Sequence, residues 1–275
     1  MAANSAHGPD ASGDGVLLVA DEGPVRVLTL NRANARNTLT VELMTALEGA
    51  FADIANTPDV RCVVIRAAGP GFCAGHDLKE MQAHRNDPDR GKAFFTTLFA
   101  QCTRLMGAIR ACSRPVIAEV QGIATAAGCQ LVATCDIAVA SDAARFGVNG
   151  IDVGFFCSTP AVALARNIDR KKAMELLLTG RMMSAGEACD AGLVNHVAEP
   201  EQLSGMTMAL ATKIAGKSTA VAALGKKAFY EQVQMSLDAA YDVASRAMVD
   251  NLLLHDSEEG FSAFIDKRAP QWQDR

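Results

Sequence analysis

The stretch RPVIAEVQGIATAAGCQLVATCDIAVASDAARFGVNGIDVGFFCSTPAVALAR, residues 114–166, decides the fold. Residues 115–120 are apolar apart from Glu119 and read as a buried strand. Gly122 ends the run, and the small residues 124–128 lead into a helix expected to reach about Thr134. A second apolar run over 136–140 predicts another strand directly after it. A helix start offers backbone N–H groups with no intrahelical acceptor, and side chains this small leave them uncovered. Such a place suits a negative oxygen. The same alanines and glycines also suit a helix that simply packs closely.

Working outward, 275 residues fit one large domain, or one domain with a helical appendage. Aromatic residues make up only 5%, so alanine, leucine and valine must fill most of the core. A net charge of -5, with no basic block and no arginine–aromatic interleaving, excludes a nucleic-acid surface. The cysteines Cys62, Cys73, Cys102, Cys112, Cys129, Cys135, Cys157 and Cys189 lie in or beside apolar runs, form no C-x-x-C pair and follow no signal peptide. They are expected to be reduced and mostly buried, in a cytoplasmic setting. The five histidines do not space into a ligand set, so no metal site is expected. No uncharged apolar run is long enough to predict a membrane span.

Residues 1–15, rich in Ala, Gly, Ser and Asp, predict a disordered tail. Residues 16–20 and 25–30 read as a hairpin around Asp21-Glu22-Gly23-Pro24. Thr40 can cap a helix with Leu43, Leu47, Ala50, Phe51 and Ile54 on one face. A strand over 60–67, a loop over 68–77, a helix over 78–84, a polar connection over 86–91 and a helix over 93–111 follow. This alternation is that of an α/β domain. After Gly154 short helices at 160–168, 170–178 and 184–191 precede one brief strand at 193–197. Helices at 201–215, 219–231, 236–255 and 257–267 complete the chain. The chain thus divides into an α/β core over 16–200 and a helical region over 201–275. The apolar faces of that region need burial against the core or another subunit.

Ala215-Gly216-Lys217-Ser218-Thr219 looks like the end of a phosphate-binding loop, but Ala211 stands where its first glycine should be and the segment joins two helices. Ser218 is more simply a helix cap. No G-x-G-x-x-G follows a strand, and no G-x-S-x-G occurs. The loop at 68–77 is more informative. It and the central stretch both follow a strand and end in small residues before a helix: Ala74-Gly75-His76 and Ala126-Ala127-Gly128. If the strands are parallel neighbours, the two sets of free N–H groups converge as an oxyanion hole, each donor worth about 2.7–4 kcal/mol. Two tight turns of no catalytic consequence, with His76 half-exposed, fit the same residues.

Four ordered segments carry a resemblance: NRANARNTL (31–39), GFCAGHDLKEM (71–81), residues 114–147, and EGFSAFIDKRAP (259–270). Together they resemble the enoyl-CoA hydratase/isomerase (crotonase) superfamily across roughly 16–270. Residues 122–141 and 153–166 look most like its domain-containing protein 3 group. The resemblance implies an α/β spiral of ββα turns forming two roughly perpendicular sheets. It also implies a helical C-terminal region that packs into homotrimers or hexamers, and an acyl-CoA or enoyl-CoA thioester as ligand. Coenzyme A is then part of the ligand, and no catalytic cofactor is implied. The oxyanion donors fall on the backbone N–H groups of His76 and Ala127. Ala35, Arg36 and Ala74 fall where the family's backbone meets the adenine and pantetheine. Lys267 matches a lysine that approaches the CoA phosphates from a neighbouring subunit.

The departures bear on chemistry. The two glutamates with which hydratases activate water fall on Gln130 and Gly150. A glutamine can hold a water but not take its proton, and glycine has no side chain. The isomerase carboxylate is missing with the second glutamate, and Ser158 stands where some relatives place a catalytic aspartate. Asp152, the His76 side chain and Glu119 are the candidate substitutes, and Cys157 reads as a small buried hydrophobe. The expectation is a protein that binds an acyl-CoA thioester and polarises its carbonyl, nominally a lyase, with slow hydration. A non-hydratase enzyme on this fold (isomerase, decarboxylase or thioesterase) and a non-catalytic acyl-CoA-binding or scaffolding protein are the alternatives.

Overall fold

The computed structural model describes residues 14–275. The tail read over residues 1–15 lies outside the described residues, apart from Asp14 and Gly15. The chain opens on the antiparallel hairpin β1 (Leu17–Glu22) and β2 (Val25–Leu30). Strand β1 runs two residues further than expected because Asp21 lies opposite Arg26 and pairs with it at 2.8 Å. Thr40 caps α1 (Val41–Ile54) by accepting the Leu43 N–H, and Leu43, Leu47, Phe51 and Ile54 are buried along one face.

Next come β3 (Cys62–Ala67), β4 (Gly71–Cys73), α2 (Leu78–Ala83) and α3 (Lys92–Ala111). The central stretch forms β5 (Val116–Val120), β6 (Ile123–Thr125), α4 (Ala127–Thr134), β7 (Ile137–Ser141) and β8 (Arg145–Gly147). A short 3-10 segment at Asn149–Val153 leads to α5 (Ser158–Leu164) and α6 (Arg170–Thr179), then β9 (Met183–Ser184), α7 (Ala185–Asp190) and β10 (His196–Ala198). The rest is α8 (Leu203–Ala215), α9 (Thr219–Gln232), α10 (Leu237–Leu252) and α11 (His255–Ile265).

The long strands form a six-stranded sheet in the order β1-β2-β3-β5-β7-β10, parallel except at the β1–β2 hairpin. The short strands form a second sheet in the order β4-β6-β8-β9. Along the chain a long strand, a short strand and a helix recur, as β3-β4-α2, β5-β6-α4 and β7-β8-α5. One face of the large sheet, through Leu28, Leu30, Val63, Ile65, Ala118 and Val120, joins the main core with α1, α3 and α4. The other face, through Val25, Val27, Val64, Ile117 and Val139, is closed by Leu203, Ala211 and Ala215 of α8. All six residues of β2 are buried, because helices cover both faces, and this is why the inner strands read as largely apolar runs, interrupted by few polar residues such as Arg26 and Glu119.

The second sheet is where local reading falls short. Residues 71–73 sit inside what reads as a loop, and residues 123–125 inside the expected lead-in to a helix, yet both are strands. Strands of three residues are too short to display a period of two. Helix α4 starts at Ala127, inside the small-residue run that leads into it. The last strand falls later than expected, since Leu193 and Val194 are buried ahead of it as core residues.

Candidate active site

The parallel strands β4, β6 and β8 lie side by side, with Cys73 opposite Ala124 and Thr125 opposite Gly147. The chain leaves all three at neighbouring points, which brings together residues 74–76, 126–127 and 148–150.

In the first segment Gly75 has φ +85°, a conformation open to glycine. A Cβ on Gly75 would lie 2.9 Å from the Ala126 Cβ and 3.2 Å from the Ala127 nitrogen, so the first two turns touch only because that atom is missing. The Gly75 carbonyl accepts the Leu39 N–H at 2.8 Å, and the Asp77 N–H donates to the Leu39 carbonyl at 3.3 Å. These two bonds clamp His76 from both sides. Its own N–H donates to no acceptor among the described residues.

In the second segment Ala126 sits at φ +50° and ψ −120°, held by its N–H to the Gly147 carbonyl at 2.9 Å and by its carbonyl from Gln130 N–H at 3.0 Å. A non-glycine residue there costs on the order of 1–3 kcal/mol. Ala127 is the first residue of α4, so its N–H lies ahead of the intrahelical bonds.

Supporting the first turn is the polar loop at 31–37. Asn37, at φ +53° and fully buried, donates to the carbonyls of Ala68 and Gly71 and accepts the Arg32 N–H. Gln121 donates to the Ala67, Gly69 and Gly71 carbonyls. Burial would raise the Asp77 carboxyl, but the Thr38 hydroxyl, the Glu80 and Lys79 amides and the Arg32 guanidinium outweigh it and hold it below the usual carboxylate range. Asp77 also caps α2. Asn37, Gln121 and the Arg32–Asp77 pair are positioning residues that the sequence reading passed over. The visible signal was an asparagine in a polar loop, a residue tolerant of the left-handed conformation.

A cavity of about 310 Å³ opens on both turns. Leu78, Met81, Phe99, Phe155 and Phe156 give it apolar walls, with Thr125, Asn149 and Ser158 as polar points. Phe99 and Phe155 come from distant segments and stack at 5.9 Å, a pairing with no local sequence signal. Ala74, His76, Ala126, Ala127 and Gly150 also line the cavity.

His76 is 9% exposed, so the half-exposed loop histidine is corrected to a buried one. Its ring stands edge-on to Phe99 at 5.4 Å, and both ring nitrogens are buried, with no well-formed hydrogen bond among the described residues. Burial holds the imidazole below its ordinary value, with the Leu39 backbone opposing only in part. It is neutral at pH 7.

The remaining candidates are dispersed. Gln130 is buried within α4, its Oε1 unpartnered, and does not line the cavity. At Gly150 a Cβ would stand 2.1 Å from the Phe155 carbonyl oxygen and 2.8 Å from the Cys157 sulfur. The backbone of the following segment has taken the room a side chain would need. Asp152 is exposed and lies against Gly180, off the cavity lining. Glu119 is buried beside Thr207 of α8, also off the lining, its carboxyl raised by burial against the opposing Arg66. Ser158 begins α5 on the cavity wall. Cys157 is buried on that wall, and burial pushes its thiol up.

Ala35 ends a 3-10 turn, and exposed Arg36 adopts the left-handed conformation while its carbonyl accepts the Ala74 N–H at 3.0 Å. Lys267 follows α11, exposed and off the cavity lining. Among the described residues no group of three or more His, Cys, Asp or Glu side chains is placed to hold a metal, and no helix is long and apolar enough to cross a membrane.

The model of the Enoyl-CoA hydratase/isomerase family matches residues 21–275. The chain belongs to the enoyl-CoA hydratase/isomerase family. A Mus musculus protein, Enoyl-CoA hydratase domain-containing protein 3, mitochondrial, is 46% identical over 248 residues, spanning 90% of this chain and 81% of the relative. The crystal structure of the human enoyl Coenzyme A hydratase domain-containing protein 3 superposes with a TM-score of 0.89 at 44% identity, covering 93% of this chain and 99% of that one. An enoyl-CoA hydratase from Mycobacterium smegmatis superposes with a TM-score of 0.90 at 48% identity, covering 94% and 99%. The family's crotonase architecture, two mixed sheets and a C-terminal helical bundle, is the one described above.

The relatives correct one expectation. Those from Mus musculus, Rattus norvegicus, Danio rerio, Homo sapiens and Xenopus laevis are all named mitochondrial, against the cytoplasmic setting read from the cysteines. Free, mostly buried thiols argue against an oxidising compartment but do not choose between reducing ones.

Proposed function

We propose that this chain binds an acyl-CoA thioester and polarises its carbonyl through the N–H groups of His76 and Ala127, stabilising the enolate without efficient hydration. The observation that carries the reading is the pairing of two touching turns, each with an N–H free of acceptors among the described residues, on one apolar cavity. When a proton leaves the carbon beside the thioester, negative charge collects on the carbonyl oxygen. Preorganised donors strengthen most at that moment. The strain held at Ala126 supports a polarising role, since passive packing does not require φ +50° at an alanine.

Hydration also needs a base to activate water. Gln130 cannot supply it, and the clash at Gly150 argues that no side chain has a place there. Ala35, Arg36 and Ala74 are proposed to meet the CoA portion. Lys267 is proposed to reach its phosphates from a neighbouring subunit. The division into a core over 16–200 and a helical region over 201–275 belongs to the same proposal, with the helical region as the self-association surface. Phe229, Leu237, Tyr241, Leu253, Phe264 and Ile265 support it, being 56–85% exposed on α9 to α11 and the turn between α10 and α11.

The test pairs binding with turnover. Calorimetry should detect butyryl-CoA binding, while crotonyl-CoA hydration should fall well below the common enzyme range of about 1–1000 per second. Gly150→Glu should destabilise the fold by about 1–3 kcal/mol through overpacking and leave hydration unrestored. Rapid hydration by the native chain contradicts the reading, as does a gain of hydration in the variant.

A further inference from the structure

The polar connection at 86–91 gathers positive charge beside the cavity. Arg90 at φ +59° and Gly91 at φ +84° are two left-handed residues in a row, and they turn the chain sharply into α3. A Cβ on Gly91 would lie 2.7 Å from the Phe95 ring and 2.8 Å from the His84 carbonyl oxygen, so the turn closes only because that atom is missing. The turn borders an open hollow of about 480 Å³ lined by Arg85, Arg90, Lys92, Phe95, Thr96 and Phe99. Three cations line it, and no carboxylate does. The nearby aspartates are engaged elsewhere: Asp87 pairs with His84 Nδ1 at 2.8 Å, and Asp89 accepts the Gly91 and Ala93 N–H groups at 2.9 and 2.8 Å. Arg85, Arg90 and Lys92 have no ion pair among the described residues. In a chain of net charge -5, three unpaired cations around one hollow attract an anion.

Phe99 links this hollow to the thioester site. Its ring also lines the apolar cavity and stands 5.4 Å from the His76 ring. Phe95 lies one turn ahead of Phe99 on α3, and the Arg85 guanidinium stands over the Phe95 ring at 6.0 Å. The cations therefore lie two aromatic side chains away from the turn at His76. The whole pantetheine arm separates the sulfur of CoA from its phosphates, too long for that gap. The far end of an acyl chain fits it.

We propose that Arg85, Arg90 and Lys92 are specificity-determining residues of this site, and that its substrate class is the CoA thioesters of dicarboxylic acids, whose free carboxylate the three cations receive. The proposal rests on the thioester reading above. The acyl methylenes follow the apolar wall past Phe99, and the carboxylate emerges in the hollow. There the two guanidinium groups offer paired N–H donors and Lys92 a compact charge.

The test is calorimetry on the full chain with adipyl-CoA and suberyl-CoA, each beside its methyl-ended match, hexanoyl-CoA and octanoyl-CoA. In at least one pair wild type should bind the diacid thioester about 10-fold tighter, and raising the salt concentration should shrink that preference. All three cations are exposed, so Arg85→Gln with Arg90→Gln and Lys92→Gln should leave the fold intact. This triple variant should lose the preference while hexanoyl-CoA, which gives the cations nothing to hold, keeps its affinity. No preference in wild type overturns the proposal and leaves the thioester reading standing; so does a preference that survives in the variant. Equal weakening of all four thioesters in the variant would place CoA phosphates on the cations and also overturn it. Failure of all four to bind wild type overturns the thioester reading and the proposal together. Should the variant misfold, the wild-type salt series decides: a diacid preference equal at low and high salt overturns the assignment.

Discussion

Ala126 concentrates the residue-scale logic of the molecule. An alanine at φ +50° and ψ −120° is held there by bonds from two elements, β8 and α4, so the turn carries strain that the surrounding fold must offset. Ala126→Gly removes the Cβ that makes this conformation costly. Part of the gain is returned as unfolded-chain entropy. The variant should be about 1 kcal/mol more stable in urea unfolding, because strain of about 1–3 kcal/mol exceeds the entropy loss. A stability loss of that size would mean the turn is relaxed. In the sequence, Ala126 was visible only as one of several small residues. The neighbour that forces its backbone, Gly147, lies in a strand too short to be read from pattern. The crowding at Gly150 was hidden for a related reason: the Phe155 carbonyl that excludes a Cβ comes from the far side of a left-handed turn at Gly154.

Among the elements, the long strands and helices were legible because each carries a local signal. Thr40 before the Leu43–Leu47–Phe51–Ile54 face is one, and the apolar runs of β3, β5 and β7 are others. The small sheet was not, since its strands are defined by their partners. What ties the helical region to the core also escaped. Asp136, just ahead of β7, accepts the Lys226 ammonium of α9 at 2.7 Å, the Tyr230 hydroxyl at 2.8 Å and the Val116 N–H at 2.7 Å. The Lys226 ammonium also donates to the Ile109 and Arg114 carbonyls. Its side chain is 9% exposed and that of Asp136 16%. Removing one member of such a buried pair strands the other. Lys226→Ala should therefore cost about 3–5 kcal/mol in chemical denaturation, and Lys226→Met with Asp136→Asn should recover part of it. A single-variant loss under 1 kcal/mol would show that the contact is solvated.

At the scale of the whole molecule, the second sheet is the device that makes a site out of three separate turns. Parallel register at Cys73–Ala124 and Thr125–Gly147 places three strand ends in a row, so residues more than seventy positions apart share one cavity. On the opposite side of the accounting stands the apolar surface of α9 to α11. Phe264 at 85% and Ile265 at 76% exposed are hard to reconcile with a lone subunit of 28.9 kDa. Light scattering should give a multiple of that mass for the native protein, and Phe264→Glu with Ile265→Glu should shift it toward the single-subunit value. A native monomer would contradict the self-association reading without touching the cavity.

The proposed grip of two main-chain amides on a thioester oxygen can be tested without any turnover. Isotope-edited infrared spectroscopy of butyryl-CoA labelled at its carbonyl carbon reports the polarisation of that bond directly. Bound to the protein, the carbonyl stretch should move to lower frequency than in free butyryl-CoA, as both amides draw charge onto the oxygen. A carbonyl band that stays at its free-solution frequency while the ligand is demonstrably bound would contradict the account.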